Sequence, residues 1–298
     1  MNQELVVTKA NKLVEASYRL SISEQRVMAL LVTQIRPDDE DFKPYRFKVA
    51  DLEELVTDGE RKQQGLYSRV KAITRGLQEK VLQIRTDTGI LQLSWLSAAE
   101  YFTGQGEVEL EFSPRLKPYL LQLQERFTSY KLRYVIKLRS QYSVRLYELL
   151  KQYASLGKRS FDLAELRRIL GLNDSEFVLW NDFKRFVLER ARRELPKKTD
   201  LAFNYTARKR GRAVAFIDFE IWHVDQEESG TKKKSALKSG SAPKADELRA
   251  HANQCWNKTN GSCAAKWRDH ESPNDVCHWC RRFEQQRAKL LAAPPTQP

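Results

Sequence analysis

The segment FKVADLEELV at residues 47–56 decides the fold, because FDLAELRRIL at residues 161–170 repeats its pattern. Phe, Ala and Leu are identical at three equivalent positions, and four further positions carry conservative replacements. The two copies lie much further apart than the repeats of a solenoid, which recur about every 20–50 residues. The sequence therefore predicts a duplicated domain.

The same succession of predicted elements surrounds both copies. An amphipathic helix precedes each copy, and a second helix and two strands follow it, as the spacing of apolar residues indicates. This is the order of a winged-helix domain, a helix-turn-helix core with an attached β-hairpin. We therefore predict an α+β chain with two tandem winged-helix domains. The flanking elements are residues 23–35, 66–79, 81–85 and 90–95 in the first copy and residues 142–153, 180–195, 201–205 and 213–222 in the second.

The net charge of +13 is unevenly distributed. Residues 1–127 hold 18 Lys and Arg against 19 Asp and Glu, whereas residues 128–225 hold 21 against 12, a net of +9. This excess over about a hundred residues favours a phosphate backbone as partner, although a solvated basic surface is the alternative. We place the N-terminal winged-helix domain at residues 1–127 and the C-terminal one, expected to dominate DNA binding, at residues 128–225.

The second predicted helix of the C-terminal copy is the candidate recognition helix. Gly171 marks the turn before it, and Ser21 or Ser23 is a candidate cap for the first helix of the N-terminal copy. Phe183, Val187, Ala191 and Leu195 share one face, which we expect to be buried. Basic residues lie off that face and at the tip of the following hairpin, where a wing tracks phosphates. The predicted DNA-binding residues here are Lys184, Arg185, Arg192, Arg193, Arg208, Lys209, Arg210 and Arg212.

The N-terminal copy is neutral to acidic, so we expect it to bind DNA weakly or to mediate dimerisation. Its corresponding helix offers Arg69, Lys71 and Arg75 as auxiliary DNA contacts. The segment EVELEF at residues 107–112 alternates charged and apolar residues, which predicts a strand with one buried face. Core packing explains that pattern, and the edge of a dimer sheet is a second interpretation.

Several classes of protein are disfavoured by the sequence. The longest notable apolar stretch, residues 28–32, is far shorter than the roughly 20 residues of a membrane helix, so we expect a cytoplasmic protein with no membrane partner. The four histidines form no His-hydrophobic-His motif for metal-dependent nicking. No glycine-rich phosphate loop is visible, because Leu66 follows Gly65 where such a loop needs Lys. We assign no catalytic residue and expect no cofactor to be required for DNA binding.

The C-terminal extension has two parts. Residues 226–247 are rich in Lys, Ser, Gly and Glu and are expected to form a flexible basic linker. Residues 248–298 are expected to form a small helical tail that holds all four cysteines, with gaps of 7, 13 and 2 residues. Two hypotheses stay open for these cysteines: a structural zinc site, or reduced thiols packed beside tryptophans. The candidate zinc ligands are Cys255, Cys263, Cys277 and Cys280.

Three stretches of this chain resemble the replication initiator (Rep) proteins of iteron-bearing, theta-replicating plasmids. VTKANKLVEA at residues 7–16 is similar to their N-terminal motif, and FTSY at residues 127–130 with RLYELL at residues 145–150 is similar to their interdomain junction. FKR at residues 183–185, followed by the hairpin to Ile221, is similar to their recognition helix and wing. The resemblance ends near Trp222, so it does not cover the Cys-rich tail.

The resemblance implies a bacterial, plasmid-associated protein that binds direct repeats (iterons) at the origin as a monomer. Such proteins help to open the duplex and recruit the host initiator and helicase. As dimers they commonly bind an inverted repeat at their own promoter and repress it, with the first domain forming the dimer. The alternative from another functional class is a sequence-specific transcriptional repressor without initiation activity, and metal-dependent nicking is a remote third.

Overall fold

The structure is a computed structural model that describes residues 5–57, 65–102, 104–124 and 126–225. The predicted linker and the Cys-rich tail lie outside the described residues. In the N-terminal half, the elements are β1 (Val6–Ala10), α1 (Asn11–Val14), α2 (Ile22–Val32), β2 (Tyr45–Lys48), α3 (Val49–Thr57), α4 (Leu66–Glu79), β3 (Val81–Arg85), β4 (Ile90–Ser94), β5 (Leu96–Phe102), β6 (Glu107–Phe112), a 3-10 turn (Pro114–Leu116) and α5 (Lys117–Leu120).

Helix α2 begins where one of the two predicted caps lies. The Ser21 hydroxyl accepts a hydrogen bond from the Glu24 backbone N–H, and the Glu24 carboxylate accepts one of 2.6 Å from the Ser21 backbone N–H. These bonds satisfy two amide groups that a helix start would otherwise leave without partners. Ser21 is therefore the cap, and α2 ends at Val32, before the predicted end at residue 35.

The N-terminal domain has a different wing from the predicted one. Residues 81–85 and 90–95 were expected to complete the winged helix, and they form the strands β3 and β4. These strands lie in a separate two-stranded sheet, and Gln83 on β3 also forms an antiparallel bridge with Ser17. The three-stranded sheet of the domain has the order β2-β6-β5. Strand β6 buries Val108, Leu110 and Phe112, as its alternation predicted. Because β6 lies between two partners, the hypothesis that it forms a dimer edge is wrong.

A two-stranded sheet joins the start of the chain to the interdomain junction. Strand β7 (Phe127–Lys131) runs antiparallel to β1, with Val6 opposite Lys131 and Ala10 opposite Phe127. The expected division between residues 127 and 128 thus falls inside β7. Helix α6 (Leu132–Lys137) follows directly and leads to the second domain.

The C-terminal domain repeats the winged-helix order. Phe47 in the first domain and Phe161 in the second both lie on the first sheet strand, and Leu52 and Leu166 on the following helices are both fully buried. Its sheet has the order β8-β10-β9, with a turn at Gly211. The prediction of two tandem winged-helix domains is confirmed. The elements are α7 (Gln141–Lys151), β8 (Lys158–Asp162), α8 (Leu163–Ile169), α9 (Trp180–Phe183), a π-helical segment (Lys184–Leu188), α10 (Glu189–Lys198), β9 (Leu201–Arg210) and β10 (Ala213–His223).

The two domains touch at the turn after α8. Gly171 has a φ of +66°, the left-handed conformation that its place at the end of α8 predicted. A Cβ atom at this position would lie 2.7 Å from the carbonyl group of Tyr18, which belongs to the N-terminal domain. Nearby, the Ser17 hydroxyl donates a 2.5 Å hydrogen bond to the Arg168 carbonyl. This turn therefore requires glycine for its conformation and for its contact.

A buried cluster of charges fixes β1 against α7. The Lys9 ammonium lies 2.7 Å from one oxygen of Glu148, and the Arg145 guanidinium lies 3.0 Å from the other. Tyr130 and Tyr18 also donate hydrogen bonds to this carboxylate. Burial raises the pKa of Glu148, but the two cations and the hydrogen bonds outweigh burial and lower it to about 2. The carboxylate is therefore charged at neutral pH and compensates two buried cations.

Candidate nucleic-acid interface

The helix from residue 180 to residue 198 presents the predicted faces. Phe183, Val187, Ala191 and Leu195 are all buried, which confirms the predicted core face. These residues recur every four positions, whereas a regular α-helix completes a turn every 3.6 residues. In a regular α-helix, each of these side chains would therefore be rotated about the helix axis relative to the one before it. The π-helical segment at residues 184–188 widens the turn and offsets this rotation. The side chains opposite the core thus point to solvent.

Lys184 and Arg185 are exposed cations near the start of this helix. Both are exposed, and neither has a carboxylate within ion-pair distance in the described part of the chain. Arg192 instead pairs with Glu189 at 3.0 Å, and Arg193 donates to the Glu189 backbone carbonyl at 3.2 Å. Among the described residues, the start of the helix therefore offers two exposed cations without an ion pair.

The hairpin β9–β10 carries its cations at the tip. Lys209, Arg210 and Arg212 are exposed and surround Gly211, whose φ of +65° forms the turn. Arg208 differs, because it forms an ion pair with Asp218 on the neighbouring strand. Within the described residues, Lys209, Arg210 and Arg212 form no ion pair, and the Arg210 guanidinium lies 5.1 Å from the centre of the Phe216 ring. Arg208 already has an acidic partner.

A hydrogen bond ties the hairpin to the helix. The Tyr205 hydroxyl on β9 donates to the Glu189 carboxylate on α10 at 2.6 Å. Burial and this bond raise the pKa of Tyr205, and the same bond lowers the pKa of Glu189. Since Glu189 also pairs with Arg192, one carboxylate connects the wing to a cation of the helix. The helix and the wing, which carry the two predicted cation sets of this domain, are therefore linked by this hydrogen bond.

The predicted cations of the N-terminal domain have local partners. On α4, Arg69 lies 3.7 Å from Glu53, and Arg75 lies 3.5 Å from Glu79 one turn later. The Lys71 ammonium lies 5.2 Å from the centre of the Tyr101 ring, in cation–π contact. The charge of this helix is therefore partly compensated within the domain.

Two features of the second domain escaped the sequence analysis. Arg190 is exposed on the helix, and its guanidinium donates a 3.3 Å hydrogen bond to the Arg139 carbonyl. Arg190 could have been predicted from the sequence, because it lies close to Arg192 and Arg193 on the same predicted helix. The second feature is an exposed apolar cluster, which the spacing of apolar residues did not predict. The apolar cluster consists of Val178, Leu179 and Phe186.

Comparison with known proteins settles the family. Residues 6–151 match the family described as Initiator Replication protein, WH1, and residues 162–221 match Initiator Rep protein, WH2. The chain belongs to this family of replication initiators. Together the two matches cover more than two thirds of the chain, and they confirm the resemblance and the two winged helices.

Individual relatives of this initiator agree with the assignment. A replication initiation protein of Escherichia coli is 26% identical over 233 residues, which is 73% of this chain and 70% of the relative. The PI protein of Escherichia coli is 30% identical over 164 residues, 49% of this chain, and the chain spans about half the length of that relative. The solved structure of the Pi initiator protein in complex with iteron DNA is 22% identical, with a TM-score of 0.61. It covers 76% of this chain and 100% of its own, and it supports the fold.

The remaining predictions for this initiator concern metals and membranes. Cys255, Cys263, Cys277 and Cys280 lie outside the described residues, so the zinc site stays a prediction. In the described ranges, no group of His, Cys, Asp and Glu is arranged to hold a metal ion. None of the helices in those same ranges is long and apolar enough to cross a membrane.

Proposed function

We propose that this chain initiates plasmid replication by binding direct repeats (iterons) at the origin as a monomer, through its second winged-helix domain. The observation that carries the proposal is the pair of exposed cation sets in that domain, one on the helix and one on the wing, tied together by Tyr205 and Glu189. The family assignment supports replication initiation, and the Pi initiator of similar fold was solved with iteron DNA.

The helix is proposed to read base edges, and the wing is proposed to contact phosphates. Lys184 and Arg185 lie at the leading end of the helix, the part that reads base edges when such a helix enters the major groove. Lys209, Arg210 and Arg212 lie at the wing tip, where they would contact phosphates without reading sequence. Arg192, Arg193 and Arg208 are held by intramolecular contacts and would contribute less.

The N-terminal domain is proposed to add auxiliary DNA contacts and to form the dimer. Residues 1–127 carry a net charge of −1, and the cations on α4 have partners within the domain. A domain of this charge would bind DNA weakly by itself, since non-specific affinity depends on the number of phosphates neutralised. The proposed division agrees with the concentration of charge in residues 128–225.

The later steps are proposed from family membership. Monomers that occupy adjacent repeats would strain the neighbouring duplex and help to open it, and the assembled chains would recruit the host initiator and helicase. Dimers would bind an inverted repeat at the promoter and repress it. These activities require double-stranded DNA in the bacterial cytoplasm, and we propose that DNA binding needs no cofactor.

The test compares three DNA duplexes at about 150 mM salt, because protein–DNA affinities have meaning only at a stated ionic strength. The duplexes are the direct repeats near the gene, an inverted repeat upstream and a scrambled sequence, and the mass of each complex is recorded. We expect monomers on the direct repeats, with permanganate-reactive thymines beside occupied repeats. Binding to the inverted repeat alone, without permanganate reactivity, would identify a transcriptional repressor instead.

A further inference from the structure

The apolar cluster lies in the turn before the recognition helix and on the helix itself. Val178 is 69% exposed, Leu179 is 67% exposed and Phe186 is 42% exposed. Side chains of this size are ordinarily buried, and a group of them together on a surface marks an interaction site. Leu179 is the residue directly before α9, and Phe186 is in the π-helical segment.

The side chain of Arg167 on α8 holds the turn that carries the cluster. Arg167 donates hydrogen bonds to the carbonyls of Glu176 and Phe177, at 2.6 and 2.9 Å. Phe177 adopts a φ of +46°, which is unusual for a bulky residue, and its ring stacks on Phe186 with centroids 5.6 Å apart. The ring stack therefore holds the turn that carries Val178 and Leu179 against the helix that carries Phe186.

The surroundings of the cluster indicate DNA as the occupant. Phe186 follows Lys184 and Arg185 in the chain, and the Arg185 guanidinium lies 5.2 Å from the centre of its ring. Lys184 and Arg185 are exposed and form no ion pair among the described residues, and such cations favour a polyanion. Three side chains are also too few for a stable protein interface, which typically engages about 20–30 residues on each side. The cluster belongs to the same end of the helix that would enter the major groove.

We propose that the apolar cluster is a thymine-reading surface, which packs against the C5-methyl groups that thymine presents in the major groove. The inference rests on the proposed function, since it needs the helix to bind duplex DNA. In the major groove only the A·T pair carries such a methyl group, and apolar side chains distinguish it from other pairs. The cluster would thus add selectivity for thymine beside the polar contacts of Lys184 and Arg185.

The test uses the duplex that the full chain selects from a randomised pool. Each thymine is replaced in turn by deoxyuridine, which removes the methyl group and keeps the pairing. We expect the affinity to fall about fourfold at one or more positions, the effect of one buried methyl group. The Val178→Ser/Leu179→Ser variant or the Phe186→Ser variant should then bind the thymine and uracil duplexes equally.

The control is Leu156→Ser, because Leu156 is 66% exposed but lies beside Gly157, at the end of the sheet away from the wing turn. It should keep the full discrimination against uracil, and thermal unfolding verifies that all variants are folded. Indifference of the wild-type chain to every uracil replacement would overturn methyl reading and leave the proposed function intact. Unchanged discrimination in both cluster variants, or a change only in their mass in solution, would also overturn it. Failure to select any sequence would instead refute the proposed function itself.

Discussion

The Tyr205 hydroxyl donates a 2.6 Å hydrogen bond to the Glu189 carboxylate, and this bond joins the wing of the second domain to its candidate recognition helix. Its partners are only half-buried, but Glu189 also binds Arg192. The orientation of the helix relative to the wing therefore depends on a contact outside the apolar core. If the helix and the wing contact one duplex as proposed, their DNA contacts depend on this orientation.

We expect Tyr205→Phe to weaken binding to a specific repeat more than binding to scrambled DNA. The substitution keeps the ring and removes the hydroxyl, whose hydrogen bond to a charged group contributes about 1.5–3 kcal/mol. Titration of both duplexes by fluorescence anisotropy measures the two affinities. Tyr153→Phe is the matched control, since it makes the same change elsewhere in the domain. Equal reductions on both duplexes would show that the bond does not orient the helix.

Neutralising the helix cations and the wing cations should have different effects. Lys184→Ala and Arg185→Ala should reduce discrimination against scrambled DNA by about 1–3 kcal/mol for each base that the side chain reads in the wild type. Alanine at Lys209, Arg210 and Arg212 should weaken binding to all sequences and lower the slope of log affinity against log salt by about 1 for each phosphate that is no longer neutralised.

The control for the wing is the double substitution Arg208→Ala/Asp218→Ala. It removes an ion pair, keeps the net charge and should leave the salt slope unchanged, because Arg208 is already paired. Affinities over a series of salt concentrations provide the measurement. If the helix and wing variants had the same pattern, the proposed division between base reading and phosphate binding would be wrong.

Glu148→Gln should destabilise the whole fold at neutral pH. The variant would leave Lys9 and Arg145 buried without their counter-charge, a loss of about 3–5 kcal/mol in the free energy of unfolding. The pKa of Glu148 falls from 4.5 to about 2 on folding, so its charge stabilises the protein above pH 4.5 and progressively less as the pH falls towards 2.

Urea unfolding from pH 7 to pH 2 measures this effect. The difference between wild type and Glu148→Gln should be constant above about pH 5 and shrink below it. Glu79→Gln, which changes a largely exposed carboxylate on α4, should cost little at any pH. A difference that grew as the pH fell would contradict the assigned role of the cluster.

Gly171→Ala should cost about 2 kcal/mol or more in stability, since the left-handed conformation and the contact with Tyr18 both oppose a side chain. Gly211→Ala separates the two causes. Gly211 has almost the same φ, +65°, but open space surrounds its Cβ position, so only the conformational cost applies. Thermal unfolding should show the larger decrease in stability for Gly171→Ala. Equal decreases would mean that the contact with Tyr18 adds no free-energy cost to the substitution at Gly171.

The Cys-rich tail should carry zinc. We expect elemental analysis of the full chain, purified without chelator, to find about one zinc per chain, and the variant with serine at all four cysteines to contain none. Such a variant should still bind a specific duplex, because the cysteines lie outside both winged-helix domains. Absence of zinc from the wild-type chain, with all four thiols reactive, would favour reduced cysteines.

Local features of the fold were predictable because they depend on local spacing. The buried face of the recognition helix follows from Phe183, Val187, Ala191 and Leu195, and the turn at Gly171 follows from the conformational freedom of glycine. The cation clusters were visible because the charge is uneven along the chain. The wing of the first domain was wrongly placed, since pairing of β6 with β2 joins residues far apart in sequence. Alternation alone does not say which strand is the neighbour.

The partners of side chains that meet across the fold could not be predicted from the sequence, because these residues are far apart in the chain. Lys9 and Glu148 are 139 residues apart, and nothing in either local sequence indicates the other. Composition likewise cannot separate Arg208, which is paired with Asp218, from Lys209 beside it. The apolar cluster was hidden because exposure is a property of the folded surface.

The pairing of β1 with β7 has a consequence for the way this chain folds while it is being made. At a synthesis rate of about 5–20 residues per second, residue 131 is added roughly 6–25 s after β1 has been synthesised. Until then, β1 has no partner strand. Throughout that interval Val7 lacks its core and Lys9 lacks Glu148, which comes later still. The first domain is therefore completed only after the ribosome has begun the second, and a nascent chain halted between them would expose an unpaired strand.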